Sequence, residues 1–193
     1  MNQHSSNFPN DMYLYQQVIE QSPSSILITD ETRSGNPILY VNAAFEQKTG
    51  YSRQEVIGKN PRFLQGEDTE QPALAELRLA LAKKEACTVV LKNYRKGGQP
   101  FWNELRLAPI HNEAGEMTHY VGIQNDVTKR EEALEKLKES FANLRSILDS
   151  THQSFLLLDR EARIVDFDKQ LTSLTEALFG KSLYRGARIY EFL

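Results

Sequence analysis

Three carboxamides stand on stretches that otherwise read as buried strand. Period-two alternation puts Asn93 on one face with Cys87, Val89 and Leu91, Asn103 with Phe101, Leu105 and Leu107, and Gln124 with Tyr120 and Gly122. A buried amide costs free energy unless its N–H and C=O groups are paired. A heteroaromatic ligand with alternating carbonyl and N–H groups on one edge meets that demand. Amides that pair with each other or turn to solvent meet it too. The register matters here: a three-residue loop at 97–99 sets Asn93 opposite Asn103, whereas a two-residue loop sets it opposite Trp102. Arg62, just after Gly58-Lys59-Asn60-Pro61, and Arg78 add two guanidinium groups that suit a phosphate, although each alone reads equally as a solvated surface residue.

Other chemistries are poorly served. The segment 58–65 lacks the Gly-Lys-Ser/Thr pattern of a phosphate loop. His4, His111, His119 and His152 are scattered without metal-ligand spacing or a nucleophile beside them, so neither a metal site nor an enzyme is expected. Cys87 is the sole cysteine, which excludes an internal disulfide and a cysteine-rich zinc site.

Several elements must position the amides. Met12, Tyr15, Val18 and Ile19 have helical spacing, and Ser22-Pro23 stops that helix. Residues 24–30 and 38–42 read as strands around a Gly-Asn-Pro turn. Short helices follow: one opens at Asn42 and stops at Gly50, and one opens at Ser52 with Glu55 in capping-box position. A helical turn is expected in 58–66, then a longer helix with Pro72 near its start. Three strands at 87–96, 100–110 and 117–127 form a meander. Two strands, short helices and three more strands predict an α+β fold: a five-stranded antiparallel sheet with short helices on one face.

The 193 residues exceed one ordinary domain, and 40% hydrophobic with 25% charged residues is typical of a globular chain. The net charge of -3 gives no global sign of nucleic-acid binding. No signal peptide and no run of about 20 apolar residues appears, and a cytoplasmic location is expected. Beyond Asp126 the composition turns charged, without Gly or Pro. Val127, Leu134, Leu137, Phe141, Leu144 and Leu148 fall on one heptad frame broken by Arg130. Two readings stay open for 128–150: a coiled-coil linker that pairs two copies, or a helix docked on its own sheet. Residues 151–193 repeat the strand–turn–strand–helix order of the first unit, as the start of a second similar domain.

The block Gly58-Lys59-Asn60-Pro61-Arg62-Phe63-Leu64-Gln65 resembles the Gly-x-Asn-Cys-Arg-Phe-Leu-Gln signature of LOV domains, the flavin-binding branch of the PAS superfamily. Further matches follow in order: Ile28-Thr29-Asp30, Asn36-Pro37-Ile38, Gly50-Tyr51-Ser52, Asn93-Tyr94, Phe101-Trp102-Asn103, Gly122-Ile123-Gln124 and the exit motif Asp126-Val127-Thr128. The resemblance covers about 24–128. It implies a 1–23 helical cap, a 24–127 LOV domain, a 128–150 linker helix and a 151–193 partial second PAS domain. It also implies FMN as cofactor. By resemblance, Asn93 and Asn103 hold the pyrimidine edge, and Gln124 lies beside the ring nitrogen that is protonated. Asn60 and Gln65 touch the ring or ribityl chain, and Arg62 and Arg78 bind the phosphate. Thr29, Leu105, Leu107, Tyr120 and Gly122 line the pocket, with Leu105 where many relatives have Phe. Pro61 stands where the family places the cysteine that bonds to flavin under blue light. The implied function is therefore a cysteine-less sensor of blue light or redox state. It acts by flavin reduction to a semiquinone, reorientation of Gln124 and a response in the linker helix. That helix is expected to join a homodimer and lead to a downstream effector. The alternatives are a non-photochemical PAS dimerisation or relay module, or a cysteine-removed variant of a blue-light photoreceptor.

Overall fold

The computed structural model describes residues 11–150 and 154–192. The chain divides into two compact units, Met1–Glu131 and Glu132–Leu193. In the first, helix α1 (Met12–Glu20) precedes strands β1 (Ser25–Asp30) and β2 (Ile38–Val41). Helices α2 (Ala43–Thr49) and α3 (Arg53–Val56), a 3-10 turn (Pro61–Gln65) and α4 (Pro72–Lys83) follow. Strands β3 (Cys87–Tyr94), β4 (Pro100–His111) and β5 (Met117–Asp126) lead into α5 (Thr128–Ser150). The sheet order is β2-β1-β5-β4-β3, and each neighbouring pair is antiparallel. This is the α+β architecture that the strand and helix order predicts.

Local chemistry fixes the helix ends. The Asn42 side chain accepts the Phe45 N–H at 3.1 Å, which caps α2, and the Ile26 N–H at 2.9 Å; its amide donates to Ile19 and Ser24 carbonyls. One buried residue thus ties α1, β1 and α2 together. Gly50 closes α2 at φ 78°, a conformation open to glycine without strain. The Glu55 carboxylate accepts the Ser52 N–H at 2.9 Å, the reciprocal half of the predicted capping box.

The core of this unit is split. Leu27, Ile38, Val41, Phe45, Val56 and Leu64 form one apolar cluster. Leu74, Leu77, Val89, Leu91, Leu107 and Tyr120 form a second. A cavity of about 310 Å³ is walled by members of both, among them Leu27 and Leu64 from the first and Leu77 and Leu107 from the second. Sealed and dry, a void of that size would cost about 7 kcal/mol, comparable with the whole stability of a small domain.

In the second unit, β6 (Leu156–Leu158) and β7 (Ile164–Phe167) form an antiparallel hairpin, followed by α6 (Lys169–Phe179). Asp168 accepts the Leu171 N–H at 2.7 Å as cap of α6 and the Phe155 N–H at 2.8 Å. That is the same arrangement Asn42 makes after the second strand of the first unit. Leu134, Leu137, Phe141 and Leu144 of α5 are exposed; the side chain of Leu148 lies outside the described residues.

Candidate functional site

The cavity is lined by buried amides, exposed guanidinium groups and leucines. Asn93 and Gln124 line it and are only 3% and 5% exposed. Arg62, from the 3-10 turn, and Arg78, from α4, line it too and are exposed to solvent. Leu27, Leu64, Leu74, Leu77, Leu91 and Leu107 supply apolar wall. Asn60 lines the cavity while its own polar atoms hold the loop: Oδ1 accepts the Arg62 N–H at 2.9 Å, and Nδ2 donates to the Gly35 carbonyl at 2.5 Å. Arg78 donates to the Thr69 carbonyl at 3.0 Å, which fixes its head at the rim.

The amides differ in their partners. Asn103 Nδ2 donates to Asn93 Oδ1 at 2.8 Å, and Asn93 Nδ2 donates to the Lys92 carbonyl at 3.1 Å. Asn103 is 1% exposed, and its Oδ1 is buried with no hydrogen-bond donor. Leaving such an acceptor unpaired costs about 1–3 kcal/mol, so an N–H brought to it would be stabilised. The Ser25 hydroxyl donates to Gln124 Oε1 at 3.1 Å, and Ser25 and Gln124 are register partners in the β1–β5 ladder. Gly122 has no side chain to block the cavity wall: an added Cβ would sit 3.3 Å from Leu27 Cγ and 3.4 Å from Leu105 Cδ1.

The register corrects both hairpin expectations. Tyr94 pairs with Pro100, so Asn93 stands opposite Phe101, and Leu91 stands opposite Asn103. The connection is longer than either assumed loop, closed by Arg95 N–H to the Gln99 carbonyl at 2.9 Å and Gly98 N–H to the Arg95 carbonyl at 2.8 Å. Asn93 and Asn103 still share a face and meet diagonally, within reach of side chains of that length.

A match to the PAS domain family model spans residues 23–129. The blue-light photoreceptor of Listeria monocytogenes is 40% identical over 126 residues, 65% of this chain and 49% of its own length. The solved LOV domain of a blue-light activated histidine kinase from Erythrobacter litoralis is 42% identical, with a TM-score of 0.53. The match covers 56% of this chain and 99% of that one. The chain belongs to the LOV branch of the PAS family. A further light-oxygen-voltage domain, described with a flavin analogue, is 37% identical at a TM-score of 0.57, covering 67% of this chain and 96% of that one. The chain spans about a quarter to a half of the length of the first curated relatives it matches.

Within the LOV domain, Thr29, Asn60, Arg62, Gln65, Arg78, Asn93, Leu105, Leu107, Tyr120 and Gln124 all border the one cavity, as does Pro61. Asn103 and Gly122 are not among its lining residues; Asn103 reaches it through Asn93, and Gly122 backs Leu27 and Leu105. Sequence reasoning missed Ser25, whose hydroxyl partner depends on strand register. It also passed over Asn36, a cavity residue at φ 46° in the Asn-Pro turn, where the residue type itself was the available signal. Cys87 lies outside the cavity lining, and partial burial pushes its thiol up. Among the described residues there is no cluster that could hold a metal and no helix long and apolar enough to cross a membrane.

The exit from the LOV domain is tightly bonded. Asp126 Oδ1 accepts the Thr128 N–H at 3.0 Å and hydroxyl at 2.6 Å, and its Oδ2 pairs with Arg95 at 2.6 Å. The Trp102 N–H donates to Thr128 Oγ1 at 2.9 Å, and Arg130 of α5 pairs with Glu104 at 3.3 Å. The two β4 residues that flank Asn103 therefore hold the first turn of α5. Partial burial pushes the Asp126 carboxyl up, but hydrogen bonds from Thr128 and Arg95 outweigh it and hold the group below its usual range. A depressed carboxylate stabilises the fold above its unfolded value, about 3.9, and loses that contribution as pH falls through the lowered folded value. Thermal melts should thus separate the wild type from Asp126→Asn most at neutral pH and converge in acid. A gap that persists unchanged at low pH would contradict this account.

Proposed function

We propose that residues 24–127 bind FMN in this cavity and report blue light or redox state to the 128–150 helix without thiol chemistry. The observation that carries the reading is the cavity itself, whose wall combines exposed guanidinium groups, buried carboxamides and leucines. Arg62 and Arg78 would hold the phosphate. Asn93 and Asn103 would hold the pyrimidine edge, with Asn103 Oδ1 as the waiting acceptor. Thr29, Leu105, Leu107 and Tyr120 would border the ring, with Gly122 behind Leu27 and Leu105, and Asn60 and Gln65 the ring or ribityl chain.

A bound flavin supplies light absorption and reversible electron and proton uptake. The chain's own residues supply the readout. Gln124 presents an amide to the cavity, and its other partner is the Ser25 hydroxyl, which can donate or accept. Ser25 therefore supports either orientation of the amide, so a proton gained on the cavity side can turn Gln124 over without leaving a buried group unpaired. Gln124 lies on β5 just before Asp126, whose bonds fix the start of α5. A shift there biases the helix, and the helix relays it.

Within the 1–23 segment, helix α1 (Met12–Glu20) would serve as the cap, and the 151–193 segment would form part of a second PAS domain; residues 1–10, 151–153 and 193 lie outside the described residues. Exposed Leu134, Leu137, Phe141 and Leu144 support pairing of two copies through the 128–150 helix toward a downstream effector. We place the protein in the cytoplasm.

Titration of FMN into ligand-free protein should quench flavin fluorescence and raise Tm; free FMN at 100 times Kd adds about 2.7 kcal/mol. Asn103→Leu should weaken binding by about tenfold. Wild-type protein that takes up no FMN overturns the proposal.

A further inference from the structure

In this family the reactive thiol borders the flavin, but here the chain's single cysteine is elsewhere, so the source of an electron has to be sought among other side chains. The cavity wall narrows the search. Its lining residues are leucines, amides, arginines, Pro61, Thr29 and one tyrosine, Tyr120. Trp102, the chain's only tryptophan, is 37% exposed and alternates with the inward Phe101 and Asn103 on β4. Tyr94 donates its hydroxyl to Asp68 at 3.1 Å and does not line the cavity. Tyr120 is 1% exposed and packs in the apolar cluster with Leu77 and Leu107. Its hydroxyl has one long hydrogen bond, 3.5 Å to the Leu81 carbonyl.

We propose that Tyr120 is the electron donor to the photoexcited flavin. This inference rests on the FMN reading above. Burial holds the phenol in its neutral form by pushing its pKa up. One electron passes from the Tyr120 ring to the flavin. The phenolic O–H bond breaks, one N–H bond forms on the flavin, and both partners are neutral before and after. In the dark the electron and proton return to Tyr120, and no external reductant is consumed.

The test compares wild type, Tyr120→Phe and Trp102→Phe as full chains. Tyr120→Phe keeps the ring and removes only the weakly bonded hydroxyl, so each protein is saturated with FMN, its occupancy read from the flavin absorbance, before the photochemistry is compared. Its flavin fluorescence lifetime should lengthen, and light-driven bleaching should slow by about tenfold. Transient absorption should show a tyrosyl radical in wild type and none in Tyr120→Phe. Trp102→Phe should behave as wild type. A Tyr120→Phe protein that binds FMN and bleaches at the wild-type rate overturns the assignment, as does loss of bleaching in Trp102→Phe alone. A wild type that fails to bind FMN is a separate result, which overturns the flavin reading and this inference with it.

Discussion

Pro61→Cys is expected to convert reversible flavin reduction into light-driven covalent attachment of the flavin to the protein. Pro61 opens the 3-10 turn and borders the cavity with Arg62 and Gln65. The turn does not depend on proline, because Asn60 Oδ1 caps it through the Arg62 N–H. A thiol placed there faces the same cavity, whereas Cys87 lies outside it. Illuminated variant protein should therefore show a mass increase equal to FMN on denaturation before dark recovery, and a bleached spectrum distinct from that of wild type. Wild type under the same light should show no added mass. Bound FMN with no attachment in the variant would mean that the cavity fails to present position 61 to the ring.

Gln124→Leu should keep FMN but lose most of the light-induced change in hydrogen exchange at the start of α5. Leucine preserves the volume and removes the amide. It also leaves the buried Ser25 hydroxyl without its partner, at a cost of about 1–3 kcal/mol, so a lower Tm is expected beside the lost response. The two effects separate with Ser25→Ala, Gln124→Leu in one chain: stability should recover in part, and the response should not. A full light-minus-dark difference across residues 124–134 in Gln124→Leu would contradict the Gln124 route.

The parts of this architecture that follow from local chemistry were legible in the residues. Asn42 and Gly50 bracket α2, Ser52 and Glu55 open α3, and Pro72 begins α4 because each satisfies or removes a particular terminal N–H or fits a particular φ. Alternation also placed Asn93, Asn103 and Gln124 on buried faces, since it depends only on the two-residue period. Alternation says which face a side chain takes and not what stands opposite. The pairing of Asn93 with Phe101 depends on how the 95–99 connection closes, and the Ser25–Gln124 bond depends on a β1–β5 ladder between strands remote in sequence. The gap between two apolar clusters is a property of packing in three dimensions. No single residue announced it, although the family signature implied a ligand there.

The most direct test is the absorption spectrum of the full chain loaded with FMN, recorded in the dark, under blue light and during dark recovery. Structured flavin bands, reversible bleaching and no flavin attached to the denatured protein are expected. Free-flavin bands without structure, or a spectrum that light leaves unchanged, would contradict the proposed function.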